Sequence, residues 1–390
     1  MTDSANSVSR IVEIRTPGAI IFGVGCREQL TERARQLCEG TVLLVTDQGL
    51  VKAGIAEKIK ALIGSAGVAV EVFDAVDPDP DRQTVGKCLE LAKSANVTAV
   101  VGLGGGSSLD VAKMVAALCV NKGTLEEYTG IEKLPKKGLP TVLLPTTAGT
   151  GSEASPIAVI SDKKQHLKLG VVSRHLYCDV AIVDPELTVS CPAKVTASAG
   201  IDTLTHAIEI YTNKHAVPIV DTLVLEAIRL VGLSLRKCVE YGSDLKAREQ
   251  MSLAALYGGM GLGPVNTAAV HALAYPLGGT YDIAHGLANS ILLPYVMEFN
   301  RPACEEKFAR IGEVLGVTEG STSKKAAAAV EAVAKLSADV GIPKRLREVG
   351  IPADAIDGMA VGAMKVTRLL NNNPRELTEA DARDIYQRAY

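Results

Sequence analysis

Apolar positions along this 390-residue chain follow two periods, one in each half. Over residues 1–190, short β-rich runs alternate with helix-like stretches. Residues 19–22, 41–46, 68–73, 98–103, 141–144 and 180–183 read as buried strands. Amphipathic segments lie between several of them, such as 83–95, and a helix-like stretch at 110–119 follows the fourth. Strands that alternate with helices imply βαβ units and a mainly parallel sheet, the pattern of a Rossmann-like α/β domain. Past Pro192 the texture changes. Residues 194–212, 218–239, 246–257 and 324–340 carry helical periodicity with few β-branched clusters, and 326–329 is an unbroken alanine run, a strong helix former. The expectation is therefore two domains, an α/β domain over 1–190 followed by an all-helical domain over 191–390.

Composition narrows the partners. Hydrophobic residues make up 47% and charged residues 22%, as in a soluble globular protein. A net charge of −3 gives no basic footprint for nucleic acid. No apolar run approaches the roughly 20 residues of a membrane span, and residues 1–10 are polar, without the apolar core of a signal peptide. The eight cysteines, at 26, 38, 88, 119, 178, 191, 238 and 304, contain no CxxC pair and read as reduced cytoplasmic thiols. Without tryptophan, and with only 4% aromatics, the chain is poorly supplied with stacking platforms.

Candidate chemistry concentrates in the helical half. Asp202 and His206 stand at i and i+4, on one face of a helix and one turn apart. His271 and His285 follow in a segment rich in Gly and small residues, so three of the six histidines fall here. One carboxylate and three imidazoles suggest a divalent metal site. His166, His175 and His215 lack such partners and read as surface or structural residues. Asn266 and Thr267 fit either a substrate contact or an ordinary polar turn.

The α/β half offers two loops after buried strands. Gly104-Gly105-Gly106-Ser107-Ser108 leads into the helix-like stretch with Asp110 and Lys113. Backbone N–H groups there, with a helix dipole, would suit a phosphate, although three glycines also make a plain tight turn. The pattern is neither GxGxxG nor a P-loop. Residues 145–153 (PTTAGTGSE) form a second loop that suits ribose and phosphates, or is simply a Ser/Thr-rich turn. Both would lie at the carboxyl ends of strands, where open parallel sheets bind ligands. Asp47 ends an early strand and reads either as an acceptor for the ribose hydroxyls of NAD or as a capping aspartate.

Four blocks, in chain order 104–113, 145–153, 200–206 and 271–285, resemble the iron-containing (group III) alcohol dehydrogenases, which have a dehydroquinate synthase-like fold. The resemblance covers nearly the whole chain and implies a metal in a cleft between the two domains. Its ligand positions fall on Asp202, His206, His271 and His285. Its nucleotide contacts fall on Asp47, Asp79, Gly105, Gly106, Ser107, Thr146, Thr147, Thr150 and Lys168. An aspartate at the place of Asp47 goes with NAD in this family, and many members are homodimers or larger homo-oligomers. Four residues after His271 many members carry a histidine thought to assist proton transfer; here it is Tyr275. A phenol, with an unperturbed pKa near ~10, is a poorer proton shuttle. Tyr275 is thus either a substrate-facing catalytic group or a packing aromatic.

The implied enzyme moves a hydride between NAD(H) and a small alcohol, aldehyde or ketone, with a metal stabilising charge on the substrate oxygen. Four protein ligands plus substrate suit Fe²⁺, with Zn²⁺, Mn²⁺ or Ni²⁺ as other occupants. Two rivals share the fold, a zinc polyol dehydrogenase and a sugar-phosphate cyclase. The cyclase would need a dense Lys/Arg set, which Lys194, Lys214 and Lys237 do not form. A non-catalytic nucleotide- or metal-binding protein would be expected to have lost a ligand, and none is lost.

Overall fold

A computed structural model describes residues 11–162 and 167–390; His166 lies outside the described residues. The strands, in chain order, are β1 (Ala19–Phe22), β2 (Thr41–Val45), β3 (Ala69–Phe73), β4 (Val97–Gly104) and β5 (Gly130–Ile131). They continue with β6 (Thr141–Pro145), β7 (Ile157–Asp162), β8 (Leu167–Val172) and β9 (Val180–Val183). Six of them form one parallel sheet in the order β1-β9-β6-β4-β2-β3. These six are the strands expected from the sequence. β1 and β3, expected to be buried, are the sheet's two edges and are only partly so. An edge strand has one neighbour fewer to cover it.

Side chains alternate across the sheet and so feed two separate cores. Val42 and Leu44 of β2 pack with α1 (Leu30–Leu37), α2 (Gln48–Lys52) and α3 (Ile55–Gly64). Leu43 and Val45 face the other way, onto α4 (Arg82–Ser94) and α5 (Gly106–Val120). The short α6 (Leu125–Tyr128) completes that second layer. A small sheet, β5-β8-β7 with β7 and β8 antiparallel, was not expected. Its strands are two to six residues long. Runs this short and mixed, such as LKLGVV in β8, give no clear period.

From residue 193 onward the chain is helical. The helices are α7 (Ala193–Thr212), α8 (Pro218–Glu240), α9 (Leu245–Leu262), α10 (Ala269–Tyr281) and α11 (His285–Asn300). After them come α12 (Glu305–Val314), α13 (Thr322–Asp339), α14 (Ala355–Met364), α15 (Thr367–Leu370) and α16 (Glu379–Ala389). From Gly200 onward α7 is buried on all sides, and the helix packs on α8, α9 and α11. Its Ile201, Leu204 and Ile208 join one large apolar core, each contributing about 1.5–3 kcal/mol by leaving water. A helix enclosed in this way holds its polar side chains in fixed positions.

Candidate metal and nucleotide site

On α7, Asp202, His206 and Glu209 recur at i, i+4 and i+7 and share one face. α10 brings His271 to that face. A turn through Asp282, held in the left-handed region at φ 54°, reverses the chain so that α11 begins at His285. One ligand atom from each of Asp202, His206, His271 and His285 lies within 4.8 Å of the others. The His206 and His271 rings stack at 4.8 Å. His271 Nδ1 is 2.6 Å from Glu209 Oε2, whose other oxygen accepts from the Val270 N–H. With Nδ1 as donor, the Nε2 lone pair of His271 points into the cluster.

The donor set fits a divalent cation. The Asn289 amide nitrogen lies 2.8 Å from Asp202 Oδ1 and 3.1 Å from Nε2 of both His271 and His285. An amide has two N–H groups and cannot serve three acceptors at once. The carboxylate and imidazole lone pairs thus converge on more negative potential than the protein itself neutralises.

The α/β side of the site is built from backbone. Val45 lies opposite Gly102, and Gly104 opposite Pro145, so β2, β4 and β6 end side by side. Their loops touch at the glycines. A Cβ on Gly106 would meet Thr150 Cγ2 at 2.6 Å, and one on Gly105 would reach Thr147 Oγ1 at 3.4 Å. Gly104 has φ 150° and sits 3.4 Å, at its would-be Cβ, from Asp47 Oδ2. Gly105 caps α5 without a side chain, leaving the first-turn N–H groups around Ser107 to face an anion.

Two cavities meet at Ser107. One, of about 450 Å³, is lined by Asp47, Asp74, Gly105 and Ser108. The other, of about 190 Å³, holds Asp79, Gly106, Thr150, Lys168, His206, His271, Tyr275 and His285, with Asn266, Thr267 and Arg368. Asp202 lies behind the histidines, 2% exposed. Thr146 and Thr147 line neither cavity; Thr146 is buried, its N–H donating to Gly104 O at 2.9 Å. Asp47 accepts from the Leu50 N–H as the cap of α2, so the capping reading holds, while its second oxygen faces the glycine loop. Asp79 (φ 52°) and Lys168 form a 2.8 Å ion pair. His175 and His215 are not part of the cluster.

Models of two families match this chain in succession. Residues 17–185 match "Iron-containing alcohol dehydrogenase", and 196–390 match "Fe-containing alcohol dehydrogenase family, C-terminal". The chain is 43% identical to "Long-chain-alcohol dehydrogenase 1" of Geobacillus thermodenitrificans (strain NG80-2), over 98% of this chain and 97% of that protein. It is 36% identical to "NAD-dependent methanol dehydrogenase" of Bacillus methanolicus, over 96% and 98%. A crystal structure of 1,3-propanediol oxidoreductase superposes with a TM-score of 0.95 at 38% identity, covering 98% of this chain and all of that one. The chain belongs to the iron-containing alcohol dehydrogenase family. It is an oxidoreductase acting between NAD(H) and an alcohol or aldehyde.

Electrostatics in this alcohol dehydrogenase follow burial. Burial alone would raise the Asp202 carboxyl, but the imidazoles of His206, His285 and His271 and the Asn289 amide hold it below its usual range. Burial lowers His206, and lowers His271 further with two neighbouring imidazoles adding to it. Neutral rings beside a carboxylate are the protonation state that metal ligation requires. Burial raises the Tyr275 phenol, against the pull of Arg368.

Three residues of this alcohol dehydrogenase's site escaped the sequence reading. Glu209 was legible in principle, seven residues after Asp202. Asn289, four after His285, follows the same helical rule. Arg368 carried no signal, since it reaches the cavity from α15 by tertiary packing alone. Lys113, part of a matching block, proves structural. It is buried, bonds the carbonyls of Ser152 and Ile157, and pairs with Asp110 at 3.2 Å. Asp110 in turn accepts from Ser152 Oγ and the Val159 N–H, tying the hydroxyl loop to α5.

Proposed function

We propose that Asp202, His206, His271 and His285 hold a divalent metal, Fe²⁺ by ligand number and donor type, facing the nicotinamide of bound NAD. The observation that carries this reading is the shared cavity: three of the four ligands and the glycine and hydroxyl loops line the same 190 Å³ space. A metal bound there supplies a Lewis acid for the substrate oxygen, and NAD supplies the hydride acceptor.

The chain's own residues do the rest. Gly105, Gly106 and Ser107 present N–H groups to the pyrophosphate, and Asp47 accepts from the adenosine ribose in the larger cavity. Asp79, Lys168 and Thr150 hold the nicotinamide side, with Thr146 and Thr147 supporting the glycine turn from below. Burial keeps the proton on Tyr275, so it serves as a hydrogen-bond partner of substrate or nicotinamide. The hydroxyl proton then leaves through water.

In this reading the domains divide near residue 190, as 1–190 and 191–390. The last strand of the large sheet ends at Val183, and α7 begins at Ala193. A homodimer or higher homo-oligomer is supported by Ile219 and Leu233, which stand on one face of α8 at 63% and 52% exposure. A cytoplasmic location is supported by eight unpaired cysteines. Among the described residues no helix is long and apolar enough to cross a membrane.

The test is direct. Metal-loaded protein is incubated with NAD and a panel of primary alcohols and diols while NADH absorbance is followed. Turnover of at least one alcohol is expected; none with any alcohol or aldehyde, despite bound metal and NAD, would overturn the reading.

A further inference from the structure

The wall of the histidine cavity carries one cation that has the Tyr275 phenol beside it but no carboxylate partner among the described residues. Arg368 lines the 190 Å³ space together with His206, His271 and His285. Its Nη1 is buried with no hydrogen-bond partner. The other charges in that wall are matched. Lys168 is held by Asp79 and by Ser161 Oγ, each at 2.8 Å. Asp110 is satisfied by Lys113, Ser152 and the Val159 N–H. Among the described residues no carboxylate stands within ion-pair distance of Arg368.

Its position is fixed by the chain that follows α15. Asn372 Nδ2 donates to Thr267 O at 2.8 Å, and Asn373 exchanges hydrogen bonds with Asn300. Arg375 donates to Phe299 O and lies over that ring. Arg368, Tyr275 and Lys168 also line a second chamber of about 630 Å³, so they stand where the two spaces meet. A substrate whose reacting end lies at the histidines would extend toward this point.

A guanidinium nitrogen buried without a partner is unfavourable, and a ligand that brings an anion to it recovers charge-assisted hydrogen bonds. We infer that Arg368 selects a short substrate with an anionic group, carboxylate or sulfonate, at the end remote from the reacting carbon. This inference rests on the dehydrogenase reading and names its substrate class. In the oxidative direction the carbinol carbon gives a hydride to NAD⁺, the hydroxyl gives its proton to water, and an aldehyde forms with the remote anion unchanged. A neutral alcohol of equal shape leaves Nη1 of Arg368 without a partner. Sites built around a buried polar group discriminate strongly against analogues that lack its partner.

The test compares 4-hydroxybutanoate with its neutral isostere 4-methylpentan-1-ol, and adds 2-hydroxyethanesulfonate to separate the two anion types. Wild type should favour an anion by about 10- to 100-fold in kcat/KM. Arg368→Met should reduce that ratio by a similar factor, and Arg368→Lys should restore part of it. A second readout needs no turnover. Butanoate should raise the melting temperature of the NAD-bound wild type above that in equimolar chloride, and should not do so for Arg368→Met. Equal use of the neutral isostere, a ratio unchanged in Arg368→Met, or equal butanoate shifts in both proteins would overturn the inference. Turnover of no alcohol at all, with the butanoate shift intact, would remove the dehydrogenase reading and leave the anion site standing.

Discussion

The two halves of the site solve different problems with different parts of the chain. The carboxyl edge of the sheet presents main-chain N–H groups from loops, and its side chains mostly hold those loops against one another. The helical half presents side chains from α7, α10 and α11, fixed in a core that excludes water. A phosphate is large and diffuse and is met by several N–H dipoles without a buried countercharge. A metal ion needs a few atoms at set distances, which enclosed helices provide. Each half should therefore fail independently of the other.

The largest effect expected is on the helical side. Asp202→Asn should lower turnover by about 10³-fold or more, with metal content falling in step and NAD binding kept. Metal analysis beside NADH kinetics checks it; loss of NAD binding in the same variant would break the separation of the halves.

A second expectation concerns pH and the loop side. Burial, against its own backbone hydrogen bond and Lys113, pushes the Glu153 carboxyl from 4.5 up to about 7. The folded state therefore holds this proton more tightly than the unfolded chain does. Its stabilising share is complete below the ordinary value and is lost as pH rises through about 7, a change of up to about 3 kcal/mol. Thermal melts should show wild type losing stability relative to Glu153→Gln between pH 5 and pH 8. Parallel curves would contradict this.

Smaller changes sharpen the contrast. Glu209→Gln should weaken metal affinity by about 10- to 100-fold, because His271 loses the carboxylate that orients it. Metal titration followed by thermal stability reads this without turnover. Gly106→Ala should do the converse, since its Cβ would strike Thr150. It should raise the KM for NAD by about 10-fold, from roughly 1–3 kcal/mol of overpacking, with metal content unchanged. Loss of metal from Gly106→Ala would join the two halves after all.

Legibility followed the same division. The six strands of the large sheet announced themselves as apolar runs, and the long helices as 3.6-residue periods. The Asp202 and His206 pair on α7 was visible because helical spacing is regular, and Glu209 obeys the same rule. The small sheet was hidden because its strands are short and mixed. The double use of Asp47, as cap and as neighbour of the glycine loop, was open in the sequence, since one aspartate in extended backbone serves both roles. Asp79 with Lys168, and Arg368 with the histidine cavity, are pairings between distant segments. No local period encodes those.

The central claim is that the four-ligand cluster holds the metal on which hydride transfer depends. Metal-stripped protein should be titrated anaerobically with Fe²⁺ while bound metal and the initial rate of NADH formation are read from the same samples. The rate should rise in proportion to bound metal and saturate near about one ion per chain. Full turnover by the metal-free protein would contradict it.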